Sequence, residues 1–520
     1  MSDVYEGEWV ISSLLADRAE RLGDRVYVRS AAGDLTYGQL ADRASRVAGG
    51  LTELGVEPGD RVATMLSPTI DYLAAWFGIV WAGAVDVPVN NEFKGEFLRH
   101  LVADSAARAI IIQDRWLSRL DGLDLPDIEH VVVVGEGGER TFQDLLGHEP
   151  VDRVPRHESD LAYIMYTSGT TGPSKGVMLS NRTALWNAYP WLDIVDLQPD
   201  DVAYSVFPLF HVTARSAIMT SSMWAGSSVV LRDQFSLSEF WDDIRETGST
   251  WFGYMGAVIH LLHSQPVSPL DAENTATRAF GAAAPPGIIA DFERRFGMRL
   301  IELYGSTELG PATAPGEDRR IGTQGKPLSH VEIEIHDELD RVVPVGEEGE
   351  IVVRPAVPDG VFQGYWGLPD ATVAAFRNLW FHTGDGGRLD EEGNLTFTDR
   401  IKDSLRRRGE NISSFEVERA VQSHPAVLEC AAFAVPSELT EDEVMISVVL
   451  SEGADLGPAE LFQHCIDEMP RFAVPRYLRF VSSLPKTPSQ RIQKFKLRDE
   501  GVTDDTHDRQ AMGIVVPRDS

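Results

Sequence analysis

The stretch YTSGTTGPSKGV, from Tyr166 to Val177, is the part of the sequence that says most about the protein. It follows Leu161–Met165, an apolar run of the kind that forms a buried strand. Glycines let backbone N–H groups turn toward a ligand, hydroxyl groups add hydrogen-bond donors, and a lysine supplies positive charge. The stretch therefore predicts a loop that binds phosphate. Its candidate ligand-binding residues are Thr167, Ser168, Gly169, Thr170, Thr171, Gly172 and Lys175.

A flexible loop rich in serine, glycine and threonine is the alternative interpretation of this stretch. The P-loop spacing GxxxxGK[ST] is not met, because Ser174 and not glycine precedes Lys175. A second glycine-rich segment, Gly135–Arg140, does not match the dinucleotide-binding fingerprint GxGxxG, because Arg140 stands in place of the third glycine. A run of this composition that ends in Lys-Gly nevertheless favours phosphate binding over a plain loop.

Helical and strand patterns alternate along most of the chain. Apolar residues recur at three- and four-residue spacing between Leu40 and Leu54, which predicts an amphipathic helix. A second helix is predicted over Ile70–Ala82, and Val85–Val89 and Ala109–Ile112 are typical of buried parallel strands. Helices that alternate with such strands predict an α/β fold with parallel sheets.

The pattern changes after about residue 330. Val331–Ile335, Gly349–Arg354 and Leu395–Thr398 predict short strands between turns, and hence a small β-rich subdomain. Strands near Ala431–Val435 and helices such as Ala459–Glu468 then predict a small α+β domain. The polar tail after residue 501 is expected to be poorly ordered.

A chain of 520 residues is too long for one hydrophobic core, since cores stop growing near ~250–300 residues. We therefore expect a large N-terminal domain over residues 1–399, with the nucleotide and substrate pocket. A hinge at 400–402 and a mobile C-terminal domain over 403–520 are expected to follow. Ligand sites often lie between domains, which is where we expect the active site.

Composition excludes several classes of function. A net charge of −33 repels nucleic-acid phosphates, so we expect no nucleic-acid partner. No apolar window approaches ~18 residues, and the first residues lack a secretory pattern, so neither a membrane span nor a signal peptide is expected. Cys430 and Cys465 are too few for a disulfide framework or a zinc site, which predicts a cytoplasmic protein.

The phosphate loop and four further segments resemble the signature motifs of one family. TSGTTGPSKGV resembles the phosphate loop of the adenylate-forming (ANL) superfamily, and Tyr304–Glu308, YGSTE, resembles its YGxTE segment. His382–Asp385 resembles its TGD segment, Asp399–Asp403 its hinge, and Pro485–Arg498 its C-terminal lysine motif. The order is also that of the family, so the chain resembles this superfamily along nearly its whole length. Within it, the chain resembles the branch of acyl-CoA synthetases, which are AMP-dependent ligases.

The resemblance gives roles to several residues. Glu308 would be the Mg²⁺ ligand, and one carboxylate beside phosphates is how Mg²⁺ is usually held. Asp385 would accept hydrogen bonds from the ribose hydroxyls, and Arg400 would contact the nucleotide. Taken alone, the three would be a surface glutamate, a turn residue and a salt-bridge arginine. The other implied nucleotide contacts are Gly281, Ala282, Ala283, Tyr304, Gly305, Ser306 and Thr307.

Two residues in the segment 208–215 are candidates for contact with the acid substrate. Pro208–His211 resembles the family segment whose histidine lies near the substrate carboxylate, so His211 is a candidate catalytic residue; a structural histidine is the alternative. Arg215 lies in an apolar stretch, where a charge is costly unless it is paired. It either anchors a second polar group of the substrate or forms a salt bridge.

The expected acyl pocket is apolar or aromatic and of moderate size. Small residues at 281–284 would let flat groups approach the backbone. Together with Trp251, Phe252 could instead close the pocket. The candidate lining residues are Phe252, Tyr254, Met255, Ala283 and Tyr304.

The C-terminal motif departs from the family pattern PKTxxGKIxR. Aligned on Pro485–Thr487 and Ile492, the family's catalytic lysine falls on Arg491. Arginine keeps the charge, but its planar fork is not a point charge on a flexible stem. Three alternatives are open: Arg491 takes the role, Lys494 or Lys496 takes it, or adenylation relies on Lys175 and Mg²⁺.

Two further positions concern the second half of the reaction. Lys402 would be the hinge residue, and Gly409 resembles the glycine that lets the pantetheine arm of CoA pass the backbone. The segment Arg407–Ser413 looks most like that of carnitine- and fatty-acyl-CoA ligases. The basic run Arg406–Arg408 either meets the 3′-phosphate of CoA or is a solvated face.

The resemblance implies an ATP- and Mg²⁺-dependent ligase that forms an acyl-AMP from a small or medium carboxylic acid and transfers the acyl group to CoA. One alternative keeps the adenylation but activates another oxyanion such as nitrite, with an aryl amine as acceptor. The second alternative is a nucleotide-binding protein without catalysis. We expect a monomer or a homodimer with a small-molecule acid as its substrate.

Overall fold

The computed structural model of the protein describes residues 7–91, 93, 95–167, 174–316, 318–400, 405–407, 410–412, 414–436, 442–469, 473–487 and 490–516. These residues form two compact units. The larger unit contains the described residues up to Thr167, then Ser174–Glu332 and Arg354–Leu379. The smaller unit contains Ile333–Val353 and the described residues from Trp380 onward.

The helices are distributed over both units. A 3₁₀ turn covers Asp114–Leu120, and a π-helical segment covers Thr213–Thr220. The α-helices are α1 Ile11–Leu22, α2 Tyr37–Glu53, α3 Ile70–Trp81, α4 Gly95–Asp104, α5 Phe142–Leu146, α6 Asn181–Trp186, α7 Trp191–Ile194, α8 Ser221–Ala225, α9 Phe240–Thr247, α10 Gly256–His263, α11 Pro286–Phe296, α12 Pro369–Ala375, α13 Ser414–Gln422, α14 Pro458–Glu468 and α15 Lys494–Glu500.

The strands are short. They are β1 Val26–Ser30, β2 Gly33–Thr36, β3 Arg61–Met65, β4 Val85–Pro88, β5 Ala109–Gln113, β6 His130–Val134, β7 Leu161–Thr167, β8 Lys175–Ser180, β9 Val202–Ser205, β10 Ser228–Leu231, β11 Trp251–Met255, β12 Arg278–Ala282, β13 Arg299–Glu302, β14 Gly305–Ser306, β15 Gly310–Pro311, β16 Thr313–Ala314, β17 Lys326–Pro327, β18 Val331–His336, β19 Gly349–Pro355, β20 Gly364–Tyr365, β21 Phe376–Arg377, β22 Trp380–Leu389, β23 Leu395–Arg400, β24 Leu405–Arg407, β25 Glu410–Ile412, β26 Val427–Pro436, β27 Asp442–Leu450, β28 Tyr477–Phe480 and β29 His507–Asp508.

Local sequence explains where the helices begin and what they bury. Helix α2 is the amphipathic helix predicted from its apolar spacing, and it buries Leu40 and Leu51 completely. The Thr36 side chain accepts a hydrogen bond from the Gln39 backbone, while the Gln39 side chain accepts one from the Thr36 backbone. A cap of this kind typically stabilises a helix by about 1 kcal/mol.

The larger unit is built on two sheets that are mostly parallel. One sheet has the order β13-β12-β11-β9-β10-β1-β2, and only the pairing of β2 with β1 is antiparallel. The other has the order β20-β8-β7-β4-β3-β5-β6, with β7, β8 and β20 paired antiparallel at one end. Helices alternate with these strands, which confirms the predicted α/β class.

The first sheet places the candidate substrate-side residues at one edge. In parallel strands the carboxyl ends lie at the same edge, and open α/β sheets bind ligands there. Strand β11 ends at Met255, which pairs with Ala282 at the end of β12, and Gly281 pairs with Glu302 at the end of β13. The segments that follow these strands therefore carry the motif residues to a common edge.

The described residues of the smaller unit form three sheets, one of which is the two-stranded pair β24–β25. In the first, β22 lies between β19 and β23 and pairs antiparallel with both. The second has the order β26-β27-β28-β29 and packs with α13 and α14 around a buried cluster that includes Cys430 and Cys465. The strands of the first sheet are those predicted for the β-rich subdomain, and the second sheet with its helices corresponds to the predicted α+β domain.

The expectation of a poorly ordered tail is wrong for the described residues up to 516. Strand β29 pairs with β28, and Arg509 is buried. The Arg509 guanidinium donates to the carbonyl oxygens of Pro475 at 3.0 Å and Ile514 at 2.8 Å. Backbone acceptors therefore hold a segment whose polar composition had indicated solvent exposure.

Within the described part of the chain, no helix combines the length and the apolar character that crossing a membrane requires.

Candidate active site

Lys175 and Glu308, the charged residues of two separate motifs, meet at the ring of Tyr365. The Lys175 Nζ lies 4.9 Å from the ring centroid, and the Tyr365 hydroxyl donates to Glu308 Oε1 at 3.2 Å. Pairing of β20 with β8 sets Tyr365 opposite Val177, close to Lys175 in the sequence. The backbone of Phe362 donates to the Glu308 carbonyl at 2.8 Å. We call the side chains of Lys175, Tyr365 and Glu308 the Lys175–Tyr365–Glu308 cluster.

The antiparallel pair β7–β8 holds the two ends of the phosphate loop together. Thr167 lies opposite Lys175 in the register, and the Thr167 hydroxyl donates to the Lys175 carbonyl at 3.5 Å. The loop is therefore a hairpin connection, with Lys175 at the first position of its returning strand. Ser168, Gly169, Thr170, Thr171 and Gly172 lie outside the described residues.

The cluster fits a Mg²⁺ ion that is also bound by nucleotide phosphates. Glu308 is half-buried and offers one carboxylate at the cluster. In the described part of the chain, no group of three or more histidine, cysteine, aspartate or glutamate side chains could hold a metal by itself. Mg²⁺ usually binds one or two carboxylates, substrate phosphates and water, so a single carboxylate beside a lysine suits it.

The YGSTE segment forms a tight hairpin that presents Glu308. The Tyr304 backbone N–H donates to the Thr313 hydroxyl at 2.9 Å. A side chain at Gly305 would place its Cβ 2.2 Å from the Gly310 carbonyl oxygen, so only glycine fits. Tyr304 is buried, whereas Ser306 and Thr307 are half-buried next to Glu308.

The small residues after β12 lie close to β11. A Cβ on Gly281 would lie 2.2 Å from the Tyr254 carbonyl oxygen, so the two strands approach too closely for a side chain there. Ala283 has a φ of +63°, a left-handed conformation that costs a residue with a Cβ on the order of 1–2 kcal/mol. The surrounding structure must hold Ala283 in this conformation.

Glu302 holds this segment in place, and the sequence motifs did not single it out. Its Oε1 accepts hydrogen bonds from the Tyr254 hydroxyl at 2.5 Å and from the Ala284 backbone at 3.1 Å. Burial raises the pKa of the Glu302 carboxyl to about 7. Its only signal in the sequence is a glutamate at the end of the apolar strand β13, two residues before Tyr304.

The assignment of Phe252 and Tyr254 to the pocket wall is corrected by their packing. Phe252 is fully buried, with its ring centroid 5.1 Å from that of Phe240 on α9. Tyr254 belongs to the same core cluster and contacts the site through Glu302. Side chains alternate along a strand, so both face the helix layer, whereas Met255 is half-buried at the end of β11.

Of the two alternatives for Arg215, substrate anchoring and a salt bridge, the structure shows the salt bridge. Arg215 is fully buried and pairs with Asp86, which is also fully buried. Its other nitrogens donate to the Leu209 carbonyl and to the Tyr72 hydroxyl, the latter at 3.1 Å, and its guanidinium lies 4.4 Å from the centre of the Trp76 ring. Arg215 therefore has a structural role, and we remove it from the candidate pocket.

His211 lies at the start of an unusual turn. It is half-buried, and its ring centroid is 4.7 Å from that of Phe210. Its carbonyl accepts the backbone N–H of Arg215 at 3.2 Å, and the π-helical segment Thr213–Thr220 follows. Such π-helical insertions often occur at functional sites. The structure thus places His211 after β9, beyond the carboxyl edge of the first sheet.

In the smaller unit, Asp385 lies in an irregular part of β22. It is buried, and it pairs in register with Arg400 on β23. Its backbone N–H donates to the Thr383 hydroxyl at 3.1 Å. The side chain of Arg400 is not among the described parts of the chain.

Two basic residues of the C-terminal motif have different surroundings. Lys494 donates to the Ser414 hydroxyl and lies 3.1 Å from Glu418 Oε1, so its charge is neutralised within the unit. Arg491 is exposed, and its backbone exchanges hydrogen bonds with Thr487. The predicted hinge residue Lys402 and the predicted tunnel residue Gly409 lie outside the described residues.

Two α/β sheets, a lysine and a carboxylate at a phosphate loop, and a smaller α+β unit define an enzyme of the nucleotide-dependent ligase class. Residues 15–366 match the family described as AMP-binding enzyme, and residues 416–491 match the AMP-binding enzyme C-terminal domain. The chain belongs to the AMP-binding enzyme family, and within it to the acyl-CoA synthetase branch of the adenylate-forming superfamily.

Relatives support the same assignment. The chain is 30% identical over 485 residues to the crotonobetaine/carnitine–CoA ligase of Salmonella typhimurium, covering 89% of this chain and 93% of the relative. The crystal structure of the anthranilate CoA ligase AuaEII with anthranoyl-AMP has a TM-score of 0.88 and 25% identity, covering 94% of this chain and 97% of the other. ATP-bound MatB from Rhodopseudomonas palustris has a TM-score of 0.87 and 27% identity, covering 94% and 98%.

Proposed function

We propose that the protein activates a small or medium carboxylic acid with ATP and then transfers the acyl group to CoA. The observation that carries this proposal is the Lys175–Tyr365–Glu308 cluster, because it joins a cation and a Mg²⁺-compatible carboxylate beside the phosphate loop. Two of the relatives named above are CoA ligases, which does not favour an amine acceptor or a non-catalytic protein.

In the first step, an oxygen of the acid carboxylate attacks the α-phosphorus of ATP. The bond to the bridging oxygen breaks, pyrophosphate leaves, and the product is an acyl-AMP. Lys175 stabilises the negative charge on the phosphoryl oxygens, which is the main task of the protein in such transfers. Glu308 would hold Mg²⁺, which supplies neutralisation of phosphate charge when bound.

In the second step, the CoA thiol loses its proton to solvent and its sulfur attacks the acyl carbonyl carbon, and AMP leaves with the electron pair of the broken C–O bond. We propose a domain boundary at residues 400–402, with Lys402 as the hinge and Gly409 beside the pantetheine arm. A rotation of the C-terminal domain, 403–520, would let one site serve both steps.

We assign the role of the family's catalytic lysine to Arg491. Lys494 is held by Ser414 and Glu418, so moving it toward a substrate would break its ion pair with the half-buried Glu418. Arg491 is exposed at the end of a short loop and keeps a permanent charge. These contacts support Arg491 over Lys494.

We further propose that nucleotide contacts come from Gly281–Ala283, Tyr304–Thr307, Asp385 and Arg400, and that His211 and Met255 face the acid. Cys430 and Cys465 are both buried free thiols, which fits a reducing compartment such as the cytoplasm. The protein would act as a monomer or a homodimer.

A pyrophosphate-release screen over carboxylic acids tests this function. We expect release with ATP and at least one aliphatic or aromatic acid, followed by a thioester when CoA is added, with both products identified by mass spectrometry. A matched arm with nitrite and aryl amines should give no product. Pyrophosphate release only in the nitrite arm, or an adenylate that never yields a thioester, would contradict the proposal.

A further inference from the structure

The segment that carries Asp385 leaves the regular pairing of its sheet. Strands β19 and β22 pair Glu350 with Gly386 and Val352 with His382, so β22 has two more residues than β19 in this interval. The extra length forms a bulge over Thr383–Asp385. Gly384 within it has a φ of +71°. Bulges of this kind re-aim a side chain, and they need contacts that fix their backbone.

Glu350 supplies those contacts on both sides of the bulge. Its Oε1 accepts the backbone N–H of Gly384 at 3.0 Å, and its Oε2 pairs with His382 Nδ1 at 2.7 Å. Because a carboxylate oxygen accepts, Nδ1 of His382 carries the proton. The side chains of Glu350 and His382 are 17% and 5% exposed, so water competes little for these bonds.

Neighbouring bonds complete a short chain from Glu350 to Asp385. The Thr383 hydroxyl donates to the Ile351 carbonyl at 2.7 Å and accepts the Asp385 backbone N–H at 3.1 Å. Glu350 and Ile351 are adjacent on β19, so one strand fixes the whole bulge. The position of the Asp385 carboxylate therefore depends on β19.

We propose that Glu350 is a positioning residue that holds the ribose-binding carboxylate of Asp385 in place. The proposal rests on the proposed function, in which Asp385 accepts the two ribose hydroxyls of ATP. Without the Glu350 carboxylate, Gly384 and His382 lose a shared, charged acceptor, and the bulge is free to take other conformations. Binding of the ribose should weaken, while contacts to the phosphates should remain.

Equilibrium binding of ATP with Mg²⁺ tests this without knowledge of the acid. Isothermal titration calorimetry compares ATP, 2′-deoxy-ATP and 3′-deoxy-ATP on the full-length protein. Glu350→Ala should raise the Kd for ATP about tenfold, because the bulge loses two hydrogen bonds to a charged acceptor. The Kd values for the two deoxy analogues should rise less, by about threefold, because each analogue keeps only one of the two hydroxyls that Asp385 accepts.

Glu348→Ala is the matched control. Its carboxylate lies on the same segment but accepts from the Thr398 hydroxyl on β23 at 2.7 Å, so it should bind ATP like the wild type. Glu350→Gln should have an intermediate effect, because it keeps an acceptor for Gly384 but forces a tautomer change on His382. If Glu350→Ala does not fold, this glutamine variant carries the test.

A double-mutant cycle gives a second readout. In an Asp385→Ala background, Glu350→Ala should not weaken ATP binding further, because its effect passes through Asp385. Equal losses for ATP and both analogues, or additive losses in the cycle, would overturn the proposal. If the wild type itself binds ATP no better than the deoxy analogues, the ribose role of Asp385 fails. Glu350 variants that bind like the wild type while Asp385→Ala does not would overturn only the present inference.

Discussion

Replacing Glu302 by glutamine should remove a pH dependence from the stability of the larger unit. Burial raises the pKa of the Glu302 carboxyl from an ordinary 4.5 to about 7. Between these values the folded protein holds a proton that the unfolded chain releases, so stability falls as the pH rises through this window. The full displacement corresponds to about 3 kcal/mol, and the part between about pH 5 and 8 to roughly 2.5 kcal/mol.

Urea unfolding followed by tryptophan fluorescence measures this effect. All tryptophans except Trp380 lie in the larger unit, so the signal reports on the unit that contains Glu302. All other titratable groups contribute equally to the variant and to the wild type. The free energy of unfolding of Glu302→Gln minus that of the wild type should therefore rise by roughly 2.5 kcal/mol from about pH 5 to 8. The exposed Glu273→Gln is the control and should show no such shift. Parallel pH profiles for Glu302→Gln and the wild type would refute the reasoning.

Four further substitutions separate catalytic from structural charges. Lys175→Ala should lower kcat/KM for ATP in the pyrophosphate assay about 10- to 100-fold, because it removes a charge-assisted contact. Its melting temperature should stay unchanged, because Lys175 is exposed. Arg491→Ala should slow single-turnover adenylation at least about tenfold, whereas Lys494→Ala should mainly lower the melting temperature; the reverse result would reassign the catalytic cation. Asp86→Asn leaves the buried Arg215 without its counter-ion, and denaturant unfolding should show a loss of about 3–5 kcal/mol.

The fold could be predicted because nearby residues determine each element. The spacing of apolar residues gives α2 its buried face, and the cap at Thr36 fixes where the helix begins. Short apolar runs became β4 and β5, which pair in parallel with β3. Such patterns depend on the period of one helix or strand, so a single sequence contains them.

The contacts that shape the site could not be predicted in the same way, because they join distant residues. A charge in an apolar stretch showed that Arg215 needs a partner, but Asp86 lies 129 residues away. Alternation along β11 separates Phe252 from Met255, but it does not say which face meets the helices. The Gly-Tyr pair at Tyr365 is too short to carry a signal, and only the pairing of β20 with β8 brings it to Lys175.

The partners of the lysines show how a chain with a net charge of −33 keeps a cation available for an anionic nucleotide. Lys486 pairs with Glu429 and Lys494 with Glu418, so a carboxylate neutralises each charge. Lys175 instead contacts the face of the Tyr365 ring, which orients the ammonium group but carries no net charge. The contact therefore leaves the positive charge of Lys175 to a phosphate. The Tyr365 hydroxyl at the same time donates a hydrogen bond to Glu308, which directs that carboxylate away from a competing ion pair.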